Sequence, residues 1–171
     1  GMPRARAAAP PAPRESGARA VTVERVTDEE LVLSLAEGER GLVKDTLLAY
    51  PVHGGVLEAR DGVLGLEGES REMLEAALTE AQEENRTRLR RLVEDSFTWD
   101  GAEWHWRLRR ADRDWLLEVL NDVNVGSWIA AGRPDLGARR GKASLAHWRH
   151  LIAVEMCQAL EMLLLEVWGD P

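Results

Sequence analysis

Cysteine, tyrosine and phenylalanine are nearly missing from this chain, which has one residue of each among 171. The single cysteine, Cys157, excludes an internal disulfide and fits a reducing cytoplasm, which is the location we expect. Long uninterrupted apolar runs are also missing. Glu155, Glu161 and Glu166 interrupt the most apolar segment, so we expect no membrane-spanning helix.

Positive charge is in deficit as well. Lysine and arginine number 22 against 30 acidic residues, which gives a formal net charge of −8. Because a protein that coats nucleic acid or an anionic membrane needs a basic surface, we expect neither as a partner. Apolar residues at 44% and charged residues at 30% are typical of a globular chain. We expect a disordered Ala/Pro/Arg-rich leader with a tag scar over residues 1–20, and a single globular domain over 21–171.

Hydrophobic periodicity indicates a mainly α fold, an α-rich α+β domain. The predicted helices cover residues 37–50, 70–93, 112–131 and 144–168. Ser70, Asp112 and Ser144 are the expected N-caps, and Gly132 is the expected stop of the third helix. Alternating segments predict hairpins over residues 21–35 and 97–109, and residues 53–68 form either a third hairpin or a loop. We therefore expect about four helices in a bundle with two or three short β-hairpins.

Tryptophan dominates the aromatic residues, with seven copies. In the second predicted hairpin, Trp104 and Trp106 alternate with His105 and Arg107, so the indoles share one face. We expect them to pack in the core, because stacking on nucleic-acid bases requires a basic groove. Asn85 is the one polar member of the apolar seam of the second helix, where it is expected to set register or meet a backbone group.

Metal-binding and nucleophilic patterns are weak. His147 and His150 share a helix face three residues apart, but no third ligand follows on that face. His53 and His105 would need an unknown tertiary arrangement to complete a site. Cys157 lies on the apolar side of its helix and is expected to be a buried, inert thiol. With no phosphate loop, HExxH or GxSxG motif, we assign no catalytic residue, no metal and no cofactor.

Two polar segments are candidate sites. The basic loop before the last helix offers an anion site at that helix's N-terminus, the alternative being a mobile linker. Its candidate residues are Arg139, Arg140, Lys142 and Ser144. The second segment clusters Asn121, Asp122 and Asn124 in mid-helix, where such side chains usually bond a neighbouring loop or cap. The functional alternative is a polar pocket with Asp122 as acceptor or base. Gly126, which follows, is expected to permit close approach by another backbone.

The last helix is more apolar than one buried face requires. Its main apolar face is predicted around Ile152 and Met156, and Ala153, Cys157, Leu160 and Leu164 are expected to widen that face. Val154 and Leu165 are expected outside that face, and Leu151 and Met162 adjoin them near its edge, so the four form an apolar strip. We hypothesise that two copies form a twofold homodimer through this strip, although association entropy makes the strip alone weak.

Three segments carry a family resemblance: VTVERVTDEELVLSLAEGERGLV, WRLRRADRDWLLEVLNDVNVGSW and the helix over residues 147–168. They resemble an uncharacterised family, best known from actinobacteria, that is often encoded beside the ClpS adaptor gene. The resemblance implies a link to protein quality control and no established activity. The missing catalytic pattern, the very apolar last helix and the tryptophan content lead us to expect a non-catalytic protein–protein interaction or adaptor module. The alternative is a small ligand-binding protein or enzyme with its pocket around Asn121, Asp122 and Asn124.

Overall fold

A computed structural model describes residues 21–52, 68–133 and 145–169. Strands β1 (Thr22–Val26) and β2 (Glu30–Leu35) form the first predicted hairpin, and β3 (Phe97–Trp99) and β4 (Trp104–Arg109) form the second. Antiparallel pairing of β2 with β4 joins them into a four-stranded sheet of order β1-β2-β4-β3. Both hairpins are thus confirmed. Residues 53–67, where a third was considered, lie outside the described residues.

The described residues also contain the four expected helices. They are α1 (Glu37–Leu48), α2 (Glu69–Asp95), α3 (Arg113–Ala130) and α4 (Leu145–Trp168), with a 3-10 turn at Arg110–Asp112 before α3. The mainly α character with a small sheet is therefore confirmed. None of the described helices combines the length and apolarity needed to cross a membrane.

One face of the sheet packs in the main core, as its alternation predicts, and Val32 on the other face is buried as well. Leu31, Leu33 and Leu35 of β2 lie beside Trp106 of β4, and all four are fully buried. Phe97 stacks on Trp106 with ring centroids 5.3 Å apart. The core role expected of the indoles therefore holds for Trp106, whose N–H donates to the Ser96 hydroxyl at 3.0 Å.

Of the predicted N-caps, Ser70 is wrong and Asp112 is right in position only. Helix α2 begins after Gly68, whose φ of 61° suits glycine, and Ser70 lies inside its first turn. Asp112 does precede α3, but its side chain makes no capping hydrogen bond. The reason is that two arginines already hold both of its oxygens. The predicted stop at Gly132 is confirmed by its φ of 83°.

Helix α4 buries the edge of the predicted apolar face that Ala153, Cys157, Leu160 and Leu164 were expected to form, rather than the centre of that face. Its buried residues are Ala153, Val154, Cys157, Leu160, Leu164 and Trp168. Ile152, near the centre of the predicted face, is 39% exposed. Relative to the row through Ile152 and Met156, the buried face is turned by about 100°, the rotation of one residue along a helix. Because α4 is apolar on most sides, its sequence marks no single face strongly.

This rotation corrects the strip of interface candidates. Val154 is 1% exposed, so it cannot contribute to a contact between two copies. Met162 and Leu165 are exposed, and Leu151 is half-buried. The strip therefore loses one of its four members to the interior, and the homodimer hypothesis now depends on the remaining three.

Candidate functional site: an arginine-lined cleft

A cleft of about 570 Å³ lies where α2, the end of β4 and the start of α3 meet. Four arginines and three carboxylates face it, a surplus of one positive charge in a chain of net charge −8. The charged lining residues are Arg88, Arg91, Arg107, Arg109, Glu30, Asp95 and Asp112. Such a local reversal of sign attracts anions.

Asp112 organises the cleft. Its side chain is 8% exposed. Arg88 Nη2 donates to one carboxylate oxygen at 2.6 Å, and Arg109 Nε donates to the other at 2.9 Å. A buried carboxylate needs such partners, and in return it fixes the direction of both guanidinium groups. Each arginine has five N–H donors, so most of its donors remain for another acceptor.

Arg88 has a second support. Its guanidinium carbon lies 3.9 Å from the centre of the Trp115 ring, a cation–π contact. The Trp115 N–H donates to Asn85 Oδ1 at 2.8 Å, and Asn85 Nδ2 donates to the Tyr50 hydroxyl at 3.1 Å. Burial raises the pKa of that hydroxyl above 10.0. A continuous chain of contacts thus runs from Tyr50 through Asn85 and Trp115 to Arg88.

The other two arginines are loosely held. Arg107 Nη1 lies 3.8 Å from a Glu30 oxygen, beyond hydrogen-bond range. Arg91 makes no ion pair with any of the described residues. A cleft with two fixed and two adjustable guanidinium groups can grip planar anions, above all carboxylates. The Ser96 hydroxyl in the lining donates to the Leu92 carbonyl oxygen and accepts from Trp106, so it serves the structure rather than chemistry.

The three polar side chains predicted to cluster on α3 face different surroundings. Asn121 is exposed. Asp122 is half-buried, and its charge raises the pKa of Tyr50. Asn124 forms a side-chain hydrogen bond with Glu161 of α4. The three side chains therefore lie on different sides of α3, and the ligand-pocket hypothesis stays a prediction.

A half-buried polar spot lies between α3 and α4. Burial raises the pKa of the Glu161 carboxyl, and the Asn124 bond opposes that rise. Burial also raises the pKa of the Cys157 thiol to about 12, with a smaller contribution from the Glu161 charge. Cys157 is fully buried, as expected. A protonated thiol of this kind is a poor nucleophile.

The four anion-site candidates Arg139, Arg140, Lys142 and Ser144 lie outside the described residues, as does His53. His147 is exposed and His150 is half-buried. His105 contacts two carboxylates on the sheet. Within the described ranges, no three metal-ligating side chains cluster.

Sequence reasoning missed the cleft because its walls are distant along the chain. Arg88 and Asp112 are separated by 24 residues. The available signal was the pairing of arginines on two predicted elements, Arg88 with Arg91 and Arg107 with Arg109.

Comparison of the chain with protein-family models, curated proteins and solved structures gives no match.

Proposed function

We propose that this protein is a non-catalytic interaction module whose arginine-lined cleft binds an acidic segment of a partner protein. The observation that carries the proposal is the pair of guanidinium groups on Asp112. Arg88 and Arg109 are already oriented before a ligand arrives, so binding costs little of their side-chain entropy. Their remaining donors, with those of Arg91 and Arg107, serve the incoming carboxylates.

The charge balance favours carboxylates over phosphate. A phosphate group carries about −1.5 to −2 charges at neutral pH. Glu30 and Asp95 on the same walls repel such a concentrated charge more than they repel single carboxylates spaced along a peptide. The volume, about 570 Å³, lies within the usual range for ligand sites and accommodates a few side chains.

Three further expectations, on location, cellular role and helix arrangement, belong to the same proposal. The lone buried Cys157 supports a cytoplasmic location. The resemblance of three segments to a family encoded beside an adaptor gene supports a role in protein quality control. Packing of α4 mainly against α3 supports a partly bundled arrangement of the helices.

The direct test uses a fluorescein-labelled peptide of six glutamates, with anisotropy read at low salt. We expect saturable binding, weakened severalfold by Arg91→Ala and by Arg107→Ala, since each removes a charge-assisted partner. Neither arginine holds the fold, so both variants stay folded. Arg90→Ala is the matched control, because this exposed arginine lies outside the cleft.

Two results contradict the proposal. One is an absence of saturable binding by the wild-type protein in about 50 mM salt, where screening is weak. The other is an equal loss of affinity in Arg90→Ala, which would show attraction to general surface charge. Tighter competition by inorganic phosphate than by free glutamate peptide would reassign the cleft to a phosphate ligand.

A further inference from the structure

One face of α2 carries charge of opposite sign at its two ends. Glu80, Glu84, Thr87 and Arg91 follow one another at steps of four, three and four residues, so they form a single stripe along the helix. Together with Arg88, these residues line a shallow depression beside the arginine-lined cleft. The stripe is acidic toward the start of the helix and basic toward its end.

Among the described residues, the charges of this stripe have no partner of opposite charge. Glu84 and Arg88 have the i,i+4 spacing of a helical ion pair, yet Arg88 bonds Asp112 instead. Glu80, Glu84 and Arg91 make no ion pair with any residue of the described ranges. Glu80 and Glu84 also repel each other at i,i+4. An external partner of complementary charge would relieve both ends.

When two copies of the stripe lie antiparallel, the acidic end of each lies opposite the basic end of the other. We propose that a second copy of this chain docks on the stripe in an antiparallel orientation. The twofold axis crosses α2 at the level midway between Asn85 and Arg86. Glu80 then faces the partner's Arg91, and Glu84 faces the partner's Thr87 and Arg88. Because the contact is isologous, each ion pair occurs twice.

This inference rests on the proposed function in one respect, since it uses Arg88 and Arg91 as anion-binding groups. The acidic end of the stripe on a second copy would compete with an acidic peptide for Arg88 and Arg91. Exposed ion pairs are individually weak and screened by salt, so the dimer is reversible and forms at high concentration and low salt. Self-association and binding of an acidic peptide are therefore mutually exclusive.

Charge reversal tests the pairing. Sedimentation equilibrium at low salt compares the wild type with Arg91→Glu and with Glu80→Arg. Each variant places like charges opposite each other at two symmetric contacts, and we expect the dimer dissociation constant to rise about tenfold or more. An equimolar mixture of the two variants restores both contacts in a heterodimer, and its dissociation constant returns to near the wild-type value.

Two controls have defined outcomes. Arg90→Glu makes the same charge change on another face of α2 and leaves the dimer unchanged. Leu165→Glu also leaves it unchanged, whereas its disruption would assign self-association to the apolar strip on α4 and overturn the inference.

A wild type that is monomeric up to about 1 mM at low salt overturns the inference, and so does a mixture that fails to regain association. The glutamate peptide is titrated into the same samples. Peptide binding without a dimer overturns only this inference, and a dimer without peptide binding overturns only the proposed function.

Discussion

Asn85 shows how one residue can organise a surface that it does not itself form. Its amide joins the buried Tyr50 hydroxyl on one side to the Trp115 ring on the other. Trp115 in turn supports the Arg88 guanidinium at the cleft. Asn85 is therefore a positioning residue for the cleft as well as a part of the fold.

We expect Asn85→Ala to lower the free energy of unfolding by about 1–3 kcal/mol, because it leaves the Trp115 N–H donor and the Tyr50 hydroxyl acceptor without their partner. Chemical denaturation measures this cost. Thr79→Ala, an exposed change on the same helix, is expected to stay within about 0.5 kcal/mol of the wild type. Peptide affinity falls in Asn85→Ala as well, since Trp115 no longer holds Arg88. An unchanged stability would show that water replaces the amide without cost.

Sequence alone predicted that Asn85 is the polar member of an apolar seam, but not what it binds. Its partners lie 35 and 30 residues away. A periodic pattern shows which residues share a face and carries no information on which distant residue meets that face. The same limit hid the Asp112 carboxylate, which was interpreted as a helix cap because local spacing favoured that role.

At the scale of elements, α3 closely approaches the segment after α1 at Gly126. A Cβ atom placed on Gly126 would lie 2.7 Å from Val52 Cβ and 3.4 Å from the Val52 carbonyl oxygen. The close approach expected from a glycine inside a helix is therefore present. It involves the Val52 side chain first and its backbone second.

We expect Gly126→Ala to destabilise the protein by about 1–2 kcal/mol. Overpacking costs about 1–3 kcal/mol, and the better helix propensity of alanine returns up to about 1 kcal/mol. Val52→Gly removes the atom that blocks the new methyl group. In that background Gly126→Ala should be neutral or stabilising, as a double-mutant cycle with thermal unfolding would measure. Additive effects of the two substitutions would show that the contact relaxes elsewhere.

The helices and hairpins were predictable because their signals are local. Alternation fixed the inward face of β2 and β4, and glycine and proline signals marked the helix ends. The buried face of α4 was predictable only in part. The pattern placed Cys157, Leu160 and Leu164 on the apolar side, but a helix that is apolar on most sides is rotated into its final position by what packs against it. Val154 was placed outside for that reason.

At the scale of the whole molecule, the sheet brings together parts of the chain that lie far apart. Glu24 of β1, His105 of β4 and Asp100 of the β3–β4 turn form one cluster across it. His105 Nδ1 lies 2.6 Å from a Glu24 oxygen, and Nε2 lies 2.9 Å from an Asp100 oxygen. Both ring nitrogens donate only when the imidazole is protonated. The cluster therefore joins the two hairpins most firmly as an imidazolium between two carboxylates.

The two kinds of group in this cluster respond to pH in opposite ways. Hydrogen bonds to Asp100 and then Glu24 raise the pKa of His105 above 6.5, so its contribution to stability is complete below pH 6.5. That contribution is lost as the pH rises through the raised value. Hydrogen bonds from the Glu103 N–H and then His105 lower the pKa of Asp100 below 3.8, so its contribution is present above pH 3.8 and lost in stronger acid. The cluster stabilises the fold most between these two values.

We expect the free energy of unfolding of the wild type to decline, as the pH rises above 6.5, more steeply than that of His105→Gln. Glutamine keeps a polar side chain at this position without a charge that titrates in the range. Urea unfolding at several pH values measures both slopes, and their difference removes the contributions of the other histidines. The two curves should converge at high pH, where the wild-type imidazole is neutral. Parallel curves across the whole range would show that Glu24 and Asp100 do not distinguish the charged ring from the neutral one in solution.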